Sequence, residues 1–566
     1  VTRTALRATR SPAAHVCGLV LVLLVLLPLV GPFGSTSVDE GAVAHQARHL
    51  SQGGGWALRP PLPVIPADQL EFPITKSERA EEGWAPYARH PAYALLLALL
   101  TGLVGPVGMV LLSVAGTGLA AAAAGRLAQV IGLGQVAPAC VWLVGLATPM
   151  LFNSYFLIAH SLGAAAVGWA AVFLLGPRQR PAAPLLLVGA AALAAAVLLR
   201  TEAVLVGASM AAVLGLGAVT RRGYGYGARC LIVTAGVLGG VALEYLWRRS
   251  LLVATGVITG PVGQASQPGW WGNRVEGFQQ TILTVGAPNR VLALSVIALL
   301  AAAVVLRVGR SWVATRAGLL LVLAAVAGAV LFAVQDRPAL VPGLLAAVPG
   351  LGAAAILWRP GAWEGARWKP LAATSALSGL AILATQYPEG GSVEWGGRYF
   401  AVLLPLVVPL ALAVLHHAQS WVPMGRAVLV MLAVQAFAIS AGSVRVLAEG
   451  SRDADRVLAE ITYRGVPATV AGSPGDLRPV IITGDFGPPR LDWRRYEERR
   501  WLLLASGPNE VDPQVRALAE AIEPPRLVLL VSRDPARDLR RMGPVRPVGD
   551  PTSRGAFTYQ VVELLG

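Results

Sequence analysis

A chain of 566 residues with 55% hydrophobic residues, 14% charged residues and a mean hydropathy of +0.61 has too little polar surface for a water-soluble globule. The formal net charge is +15, but residues 444–566 are nearly balanced, with 18 basic against 17 acidic side chains. The surplus therefore sits in loops and helix ends between apolar runs, which argues for a membrane protein and against a nucleic-acid-binding domain.

The chain begins with Arg3, Arg7 and Arg10 ahead of an apolar run over 16–33. That run is long enough to span a bilayer and no small-x-small site follows it, so it reads as a first transmembrane anchor in preference to a cleaved signal peptide. Further runs follow near 105–124, 137–152, 158–176, 184–199, 201–219, 229–247, 291–306, 314–334, 338–357, 371–386, 400–416 and 425–442. These predict about thirteen spans. The shorter run 91–103, set between Pro91 and Gly105-Pro106, predicts a helix at the membrane edge. Ala, Leu, Val and Gly dominate the spans, as helix packing in lipid favours. Cys17, Cys140 and Cys230 lie in or beside apolar segments without a CxxC pair, so disulfides and zinc sites have no support.

Starting from a cytoplasmic N-terminus, alternation puts Arg126, Arg178, Arg180, Arg221, Arg222, Arg229, Arg307, Arg310, Arg316, Arg359, Arg367, Lys369 and Arg426 inside, opposed there by Glu364. This is the positive-inside pattern. It places 34–90, 248–290, 387–399 and the C-terminal region outside. The predicted fold class is an all-α polytopic membrane domain over 1–443, with the first outer loop at 34–90 carrying short interfacial helices. A small extracytoplasmic α/β domain over 444–566 follows. Its strands are expected at PVIITGD, RWLLLAS, RLVLLVS and FTYQVVELL, and its helices near 444–461 and 512–522.

The first outer loop, STSVDEGAVAHQARHLSQGGGWALRPP, carries Asp39 and Glu40 directly after the first span. Ser37 and Glu40 fit an S-x-x-E capping box, and both acids suit the first turn of a short helix running to about Leu50. The alternative reading is chemical. A carboxylate held at the membrane edge can serve as general base for a hydroxyl whose co-substrate is anchored in lipid.

Taken together, Asp39-Glu40, Ala44-His45-Gln46-Ala47-Arg48, Gly54-Gly55-Trp56 and Tyr87-Ala88-Arg89-His90-Pro91-Ala92-Tyr93 resemble the GT-C superfamily of membrane glycosyltransferases. Within it they are most similar to the protein O-mannosyltransferase and lipid A aminoarabinose transferase branch. The resemblance covers the first 200 or so residues, and the span count and outer C-terminus are also similar. It implies a polyprenyl-phosphate sugar donor, an inverting displacement and Asp39 as the base, with Glu40 positioning sugar or acceptor. The leaving group is a phosphate, so a cation is needed more than an acid, and Arg89 and Arg398 are the candidates. His90 and Tyr93 belong to the same segment as Arg89. Two departures leave the sugar and the acceptor open: the stretch between Pro61 and Tyr87 is long, and Arg89-His90-Pro91 replaces the K-P-P of the aminoarabinose transferases.

Arg398 ends the outer loop QYPEGGSVEWGGRYF, with Glu389, Glu394, Trp395 and Tyr399 around it. It reads either as a snorkelling residue or as a sugar-phosphate ligand, with Glu394 a candidate beside it. His160 opens a helix in NSYFLIAHSLG, and Arg200-Thr201-Glu202 separates two apolar runs on the same side. Ionisable groups at that depth are functional candidates. On a continuous helix, residues two apart such as Arg200 and Glu202 do not face one another. Many bacterial family members resemble W-E-H-[ST] at the histidine, where this chain has Ala159.

Arg221-Arg222-Gly223-Tyr224-Gly225-Tyr226-Gly227 lacks the GK[ST] of a phosphate loop and reads as a basic loop against anionic lipid. No metal ligand set is complete, and a divalent cation is neither required nor excluded by the carboxylates. The expected activity is transfer of a mannose- or arabinofuranose-type sugar to a glycolipid, polysaccharide or protein acceptor outside a bacterial cytoplasmic membrane. No nucleic-acid partner is expected. The competing readings are a lipid-linked-sugar flippase and a non-catalytic membrane assembly partner.

Overall fold

A computed structural model describes residues 12–31, 37–58, 62, 64–65, 74, 85–86, 91–176, 183–221, 224–254, 270–283, 289–309, 311–335, 340–341, 343–359, 368–385, 395–422, 424–471, 475–504, 506–507, 510–522, 526–554 and 557–565. In chain order the helices are α1 (Pro12–Val30), α2 (Val38–Ser51), α3 (Pro91–Val104), α4 (Val107–Val130), α5 (Ala137–Leu146), α6 (Met150–Asn153), α7 (His160–Leu174), α8 (Ala183–Leu199), α9 (Glu202–Arg221) and α10 (Tyr224–Ala254). They continue as α11 (Trp270–Phe278), α12 (Arg290–Val308), α13 (Trp312–Val334), α14 (Leu344–Ala347), α15 (Pro349–Leu357), α16 (Lys369–Thr385), α17 (Leu404–Ala418), α18 (Gly425–Arg464), α19 (Gly487–Leu491), α20 (Pro513–Ala521) and α21 (Pro535–Met542).

Every apolar run expected to span carries helix, and eight helices among the described residues are long and apolar enough to cross a membrane. Two of the expected spans are interrupted. The 137–152 run breaks between Leu146 and Met150, at Pro149, and the 338–357 run holds only α14 and α15, separated at Val348-Pro349. Proline removes a donor and disfavours helix in the residue before it, which accounts for both breaks.

The chain divides into two compact units, one of 1–32, 110–244 and 264–449, the other of 33–109, 245–263 and 450–566. In the first, backbones approach closely through small residues. A Cβ on Gly168 would stand 2.8 Å from the Ala123 Cβ and 3.0 Å from that of Pro405, and one on Gly240 would stand 2.9 Å from the Ala194 carbonyl oxygen. Two interior polar contacts cross between helices and loops of this unit: Ser113 Oγ donates to the Phe156 carbonyl at 3.0 Å and Gln435 Nε2 donates to Ser295 Oγ at 2.9 Å. Outward-facing Leu294, Ile297, Leu320 and Leu331 are exposed, as lipid-facing positions require.

The second unit is built on a five-stranded sheet of order β4-β3-β5-β7-β6. Its strands are β3 (Val480–Thr483), β4 (Arg500–Leu503), β5 (Leu527–Ser532), β6 (Val545–Arg554) and β7 (Phe557–Leu564), while β1 (Ala57–Leu58) and β2 (Ala85–Pro86) form a separate antiparallel pair. The three apolar strands β3, β4 and β5 are parallel; β7 and β6 extend the sheet antiparallel. All four expected strands are present. The sequence reading missed β6 because Pro547, Gly549 and Pro551 disguise it, and these are tolerated on an exposed edge strand with a register shift between Val548 and Thr552. The core of this unit joins Leu58, Leu62, Ile65 and Ile74 of the segment after α2 to Ile481, Trp501, Leu529 and Val562 of the sheet.

Candidate functional site

In the second unit, α2 forms as its sequence dictates. Ser37 Oγ accepts from the Glu40 N–H at 3.3 Å, and the Glu40 carboxylate accepts from the Ser37 N–H at 3.0 Å, completing the capping box. Glu40 is buried and Asp39 half-buried in the same turn. One residue further on, Gly41 lies so close to α19 that a Cβ there would overlap the Arg490 carbonyl oxygen. Glycine at this position lets two backbones touch.

The rest of α2 is locked to the segment that follows α19. His45 Nε2 and His49 Nδ1 lie 3.6 and 3.5 Å from the Glu497 carboxylate, the two imidazoles are parallel at 6.2 Å, and the His45 ring meets Tyr496 edge-on at 4.7 Å. Arg48 donates to the Arg494 carbonyl. The contacts to His45 and then His49 hold Glu497 well below the usual carboxylate range, despite its partial desolvation. Burial pulls His45 below the ordinary imidazole value against the opposing pull of Glu497, so a neutral ring packs beside the carboxylate. Asp492 accepts from Arg495 Nε at 2.9 Å and from Arg499, fixing the turn that presents Tyr496 and Glu497. Gln46 is fully buried, and its amide has no hydrogen-bond partner among the described residues. Tyr93 is buried on the first turn of α3, which packs along α2. Arg89 and His90 lie outside the described residues.

In the first unit, a second group of expected residues is brought together. The chain leaves helix at Arg200-Thr201, between α8 and α9, and Arg200 forms a two-pronged ion pair with Glu202: Nε to Oε2 at 3.0 Å and Nη2 to Oε1 at 2.6 Å. This corrects the sequence expectation that the two do not face each other. That expectation holds for a continuous helix, and here the helix is broken between them. Both are almost fully buried. The Arg200 side chain crosses Gly163, where a Cβ would stand 2.6 Å from Cγ, one turn beyond His160. His160 is buried, its ring parallel to Phe156 at 6.3 Å, and it lies within electrostatic reach of Glu202.

Arg398 begins a short 3-10 turn, Arg398–Leu403, that packs on α7 and carries Val402 to the same Gly163. Its guanidinium lies 5.5 Å from the Tyr399 ring. Gly396 and Gly397 take φ of +70° and +72°, the left-handed conformation that explains the paired glycines before the arginine. The buried Trp395 ring stacks on Phe152 at 6.2 Å. Glu394, like Glu389, lies outside the described residues. Among the described residues, no cluster of three or more His, Cys, Asp or Glu side chains could hold a metal ion.

The sequence reading did not single out His45, His49 or Glu497 as an interacting set. The histidines sit four apart, one above the other on a helix, which is a readable signal. Glu497 has none, being about 450 residues away in a stretch of mixed charge.

No family model matches the chain, and no curated protein does. Two solved structures are similar over nearly its whole length. One is ArnT from Cupriavidus metallidurans in the apo state, with 14% identity and a TM-score of 0.48, covering 96% of each chain. The other is ArnT from the same organism bound to undecaprenyl phosphate, with 16% identity and a TM-score of 0.46, covering 96% of this chain and 97% of that one.

Proposed function

We propose that this protein is a membrane glycosyltransferase of the GT-C type that moves a sugar from a polyprenyl phosphate to an acceptor hydroxyl outside the cytoplasmic membrane. The observation that carries the reading is Asp39. It stands half-buried in the first turn of a short capped helix, directly after the first apolar helix, within the motif series that resembles this superfamily. The cap uses Glu40 and Ser37, so Asp39 is not required for it.

In the proposed reaction Asp39 takes the proton of the acceptor hydroxyl as its oxygen bonds to the anomeric carbon. The bond from that carbon to the phosphate oxygen breaks, and its electron pair leaves with the polyprenyl phosphate, inverting the anomeric centre. The departing phosphate gains charge, which an arginine stabilises; Arg398 and Arg89 are the candidates. His160, Arg200 and Glu202 form a preorganised polar group in the first unit suited to holding a polar headgroup, and Tyr93 and Glu40 support the helix that carries the base. Mannose and arabinofuranose are the donor sugars to test first.

The test is transfer from radiolabelled polyprenyl-phosphate sugars to a cell-wall or membrane extract by the purified protein. Asp39→Asn is expected to lower the rate by roughly 10²- to 10⁴-fold, the usual worth of a general base. Transfer at the wild-type rate by that variant removes Asp39 as base. Absence of transfer from every donor, with accumulation of labelled lipid across a vesicle membrane, favours a flippase.

A further inference from the structure

In the first unit, α15, α17 and α18 leave a shallow apolar groove between them. It measures about 210 Å³, counting its open side, and is lined by Leu357 of α15, Ala418 of α17, Val422 in the turn that follows, and Val428, Leu429 and Leu432 of α18. Gln419 adds one polar side chain, whose Nε2 is tied to His416 Nδ1 at 2.9 Å. Gly425 lets α18 start close against α17, since a Cβ there would stand 2.6 Å from the Gln419 Cα. Val430 and Val434, on the same stretch of α18, are exposed as lipid-facing positions are.

Beside this groove, two arginines are braced on each other's backbone. The Arg359 guanidinium lies 3.5 Å from the Trp421 ring centroid, two residues after Leu357 and one before Val422 of the lining. Arg359 Nη2 donates to the Arg307 carbonyl at 3.3 Å, while Arg307 Nη1 donates to the Trp358 carbonyl at 2.9 Å and to that of Ile356. Two like charges are thereby held on adjoining helix ends, and no carboxylate among the described residues pairs with either. Arg307 is exposed and Arg359 half-buried, and Arg426, exposed on the first turn of α18, adds a third positive charge to this end. A snorkelling arginine needs only water at its head. A cross-braced pair keeps two cations together, and an anion relieves their repulsion.

We propose that this end of the first unit binds an anionic phospholipid, one acyl chain lying along the groove and the phosphate meeting Arg359 and Arg307. Basic pockets between membrane helices recognise anionic headgroups in this way. The apolar lining favours a lipid over a free phosphate, and guanidiniums with no carboxylate opposing them favour an anionic headgroup over a zwitterionic one. By the charge alternation expected from the sequence, these arginines face the cytoplasmic leaflet, whose surface is negative. The site is independent of the transferase reading above.

The experiment is native mass spectrometry of the full-length protein in detergent, titrated with phosphatidylglycerol or with phosphatidylcholine of the same acyl chains. The wild type is expected to retain phosphatidylglycerol at concentrations where phosphatidylcholine is lost. Arg359→Gln is expected to weaken that retention by roughly 5-fold, the worth of one basic residue near a lipid headgroup. Leu429→Trp fills the groove without changing charge and is expected to weaken it as well. Arg126→Gln removes an equal charge from α4 and should leave retention as it is. The two site variants attack charge and shape separately, and a lipid-free melting midpoint near that of the wild type verifies that each is folded. Equal retention of the two lipids overturns the proposal. So does preference for phosphatidylglycerol that is indifferent to both Arg359→Gln and Leu429→Trp, or that falls as much in Arg126→Gln as in Arg359→Gln. A dimer that survives in detergent and excludes lipid until Leu429→Trp breaks it assigns the groove to a second copy of the chain instead.

Discussion

Two polar contacts, one in each unit, are built in opposite ways. In the first, Arg200 and Glu202 satisfy each other across two residues, made possible by a local break in the helix. In the second, His45 and His49 on α2 share Glu497, which arrives from the far end of the chain. The first pair needs only its own backbone and the neighbours that bury it. The second exists only when the α2 segment and the C-terminal segment have folded together. Local pairing therefore suits a unit whose surroundings are lipid, where an unpaired charge is costly. Long-range pairing makes α2, the helix carrying Asp39, dependent on the sheet.

The largest effect that contrast predicts is at Arg200. Arg200→Ala leaves a buried Glu202 carboxylate without its partner and is expected to cost about 3–5 kcal/mol, the penalty of half a buried ion pair. Arg200→Ala/Glu202→Ala should recover most of it. Both are read as shifts in the tryptophan-fluorescence melting midpoint of the detergent-solubilised protein. A single variant no more harmful than Glu497→Gln, whose parent side chain is partly exposed, would break the contrast between the units.

The same contrast explains what was legible in the sequence. The spans were readable because hydropathy is local and each helix satisfies its own backbone. The capping box at Ser37 and Glu40 was readable because its partners are three residues apart. Four strands were readable as short apolar runs, and β6 was not, because an exposed edge needs no hydrophobic pattern. The interruption at Arg200-Thr201-Glu202 was readable between two apolar runs, but the spacing rule, which holds for a continuous helix, gave no sign that the arginine and the glutamate pair across it. The clamp on α2 was illegible in principle. Its acid is one of many in a mixed-charge region, and only folding selects it.

A smaller effect is expected from pH, and it is confined to the second unit. Glu497 is held below its ordinary 4.5, so its contribution is present above that value and is lost as pH falls through the folded value. His45 is also held below its ordinary 6.5. The unfolded imidazole then takes up a proton that the folded one refuses, so this contribution is complete above about pH 6.5 and erodes below it. His45 and Glu497 agree in sign, so acid loosens α2 from the sheet, against the opposite contribution of Asp492, which burial raises to about 6. His45 faces Glu497, His49, Arg48 and Tyr496. Between pH 7.5 and 5 the melting midpoint of the wild type should fall, and the fall should be shallower in His45→Gln, which has no imidazole to protonate. Hydrogen exchange that accelerates in α2 on acidification, with α8 and α9 unchanged, would sharpen the assignment to one unit. Equal acceleration in both units would dissolve it.

The smallest effect separates the two readings of Glu40. Ser37→Ala removes one half of the capping box and is expected to cost about 1 kcal/mol, visible as faster exchange in the first turn of α2. Ser37→Asn keeps an acceptor at the cap and should restore protection. Glu40→Gln is the discriminating change, because glutamine at this position still caps the Ser37 N–H but carries no charge. Protection in α2 should stay near wild type. If transfer nevertheless falls, the carboxylate acts on donor or acceptor as well as on the helix. If transfer and protection are both unchanged, Glu40 is a cap alone.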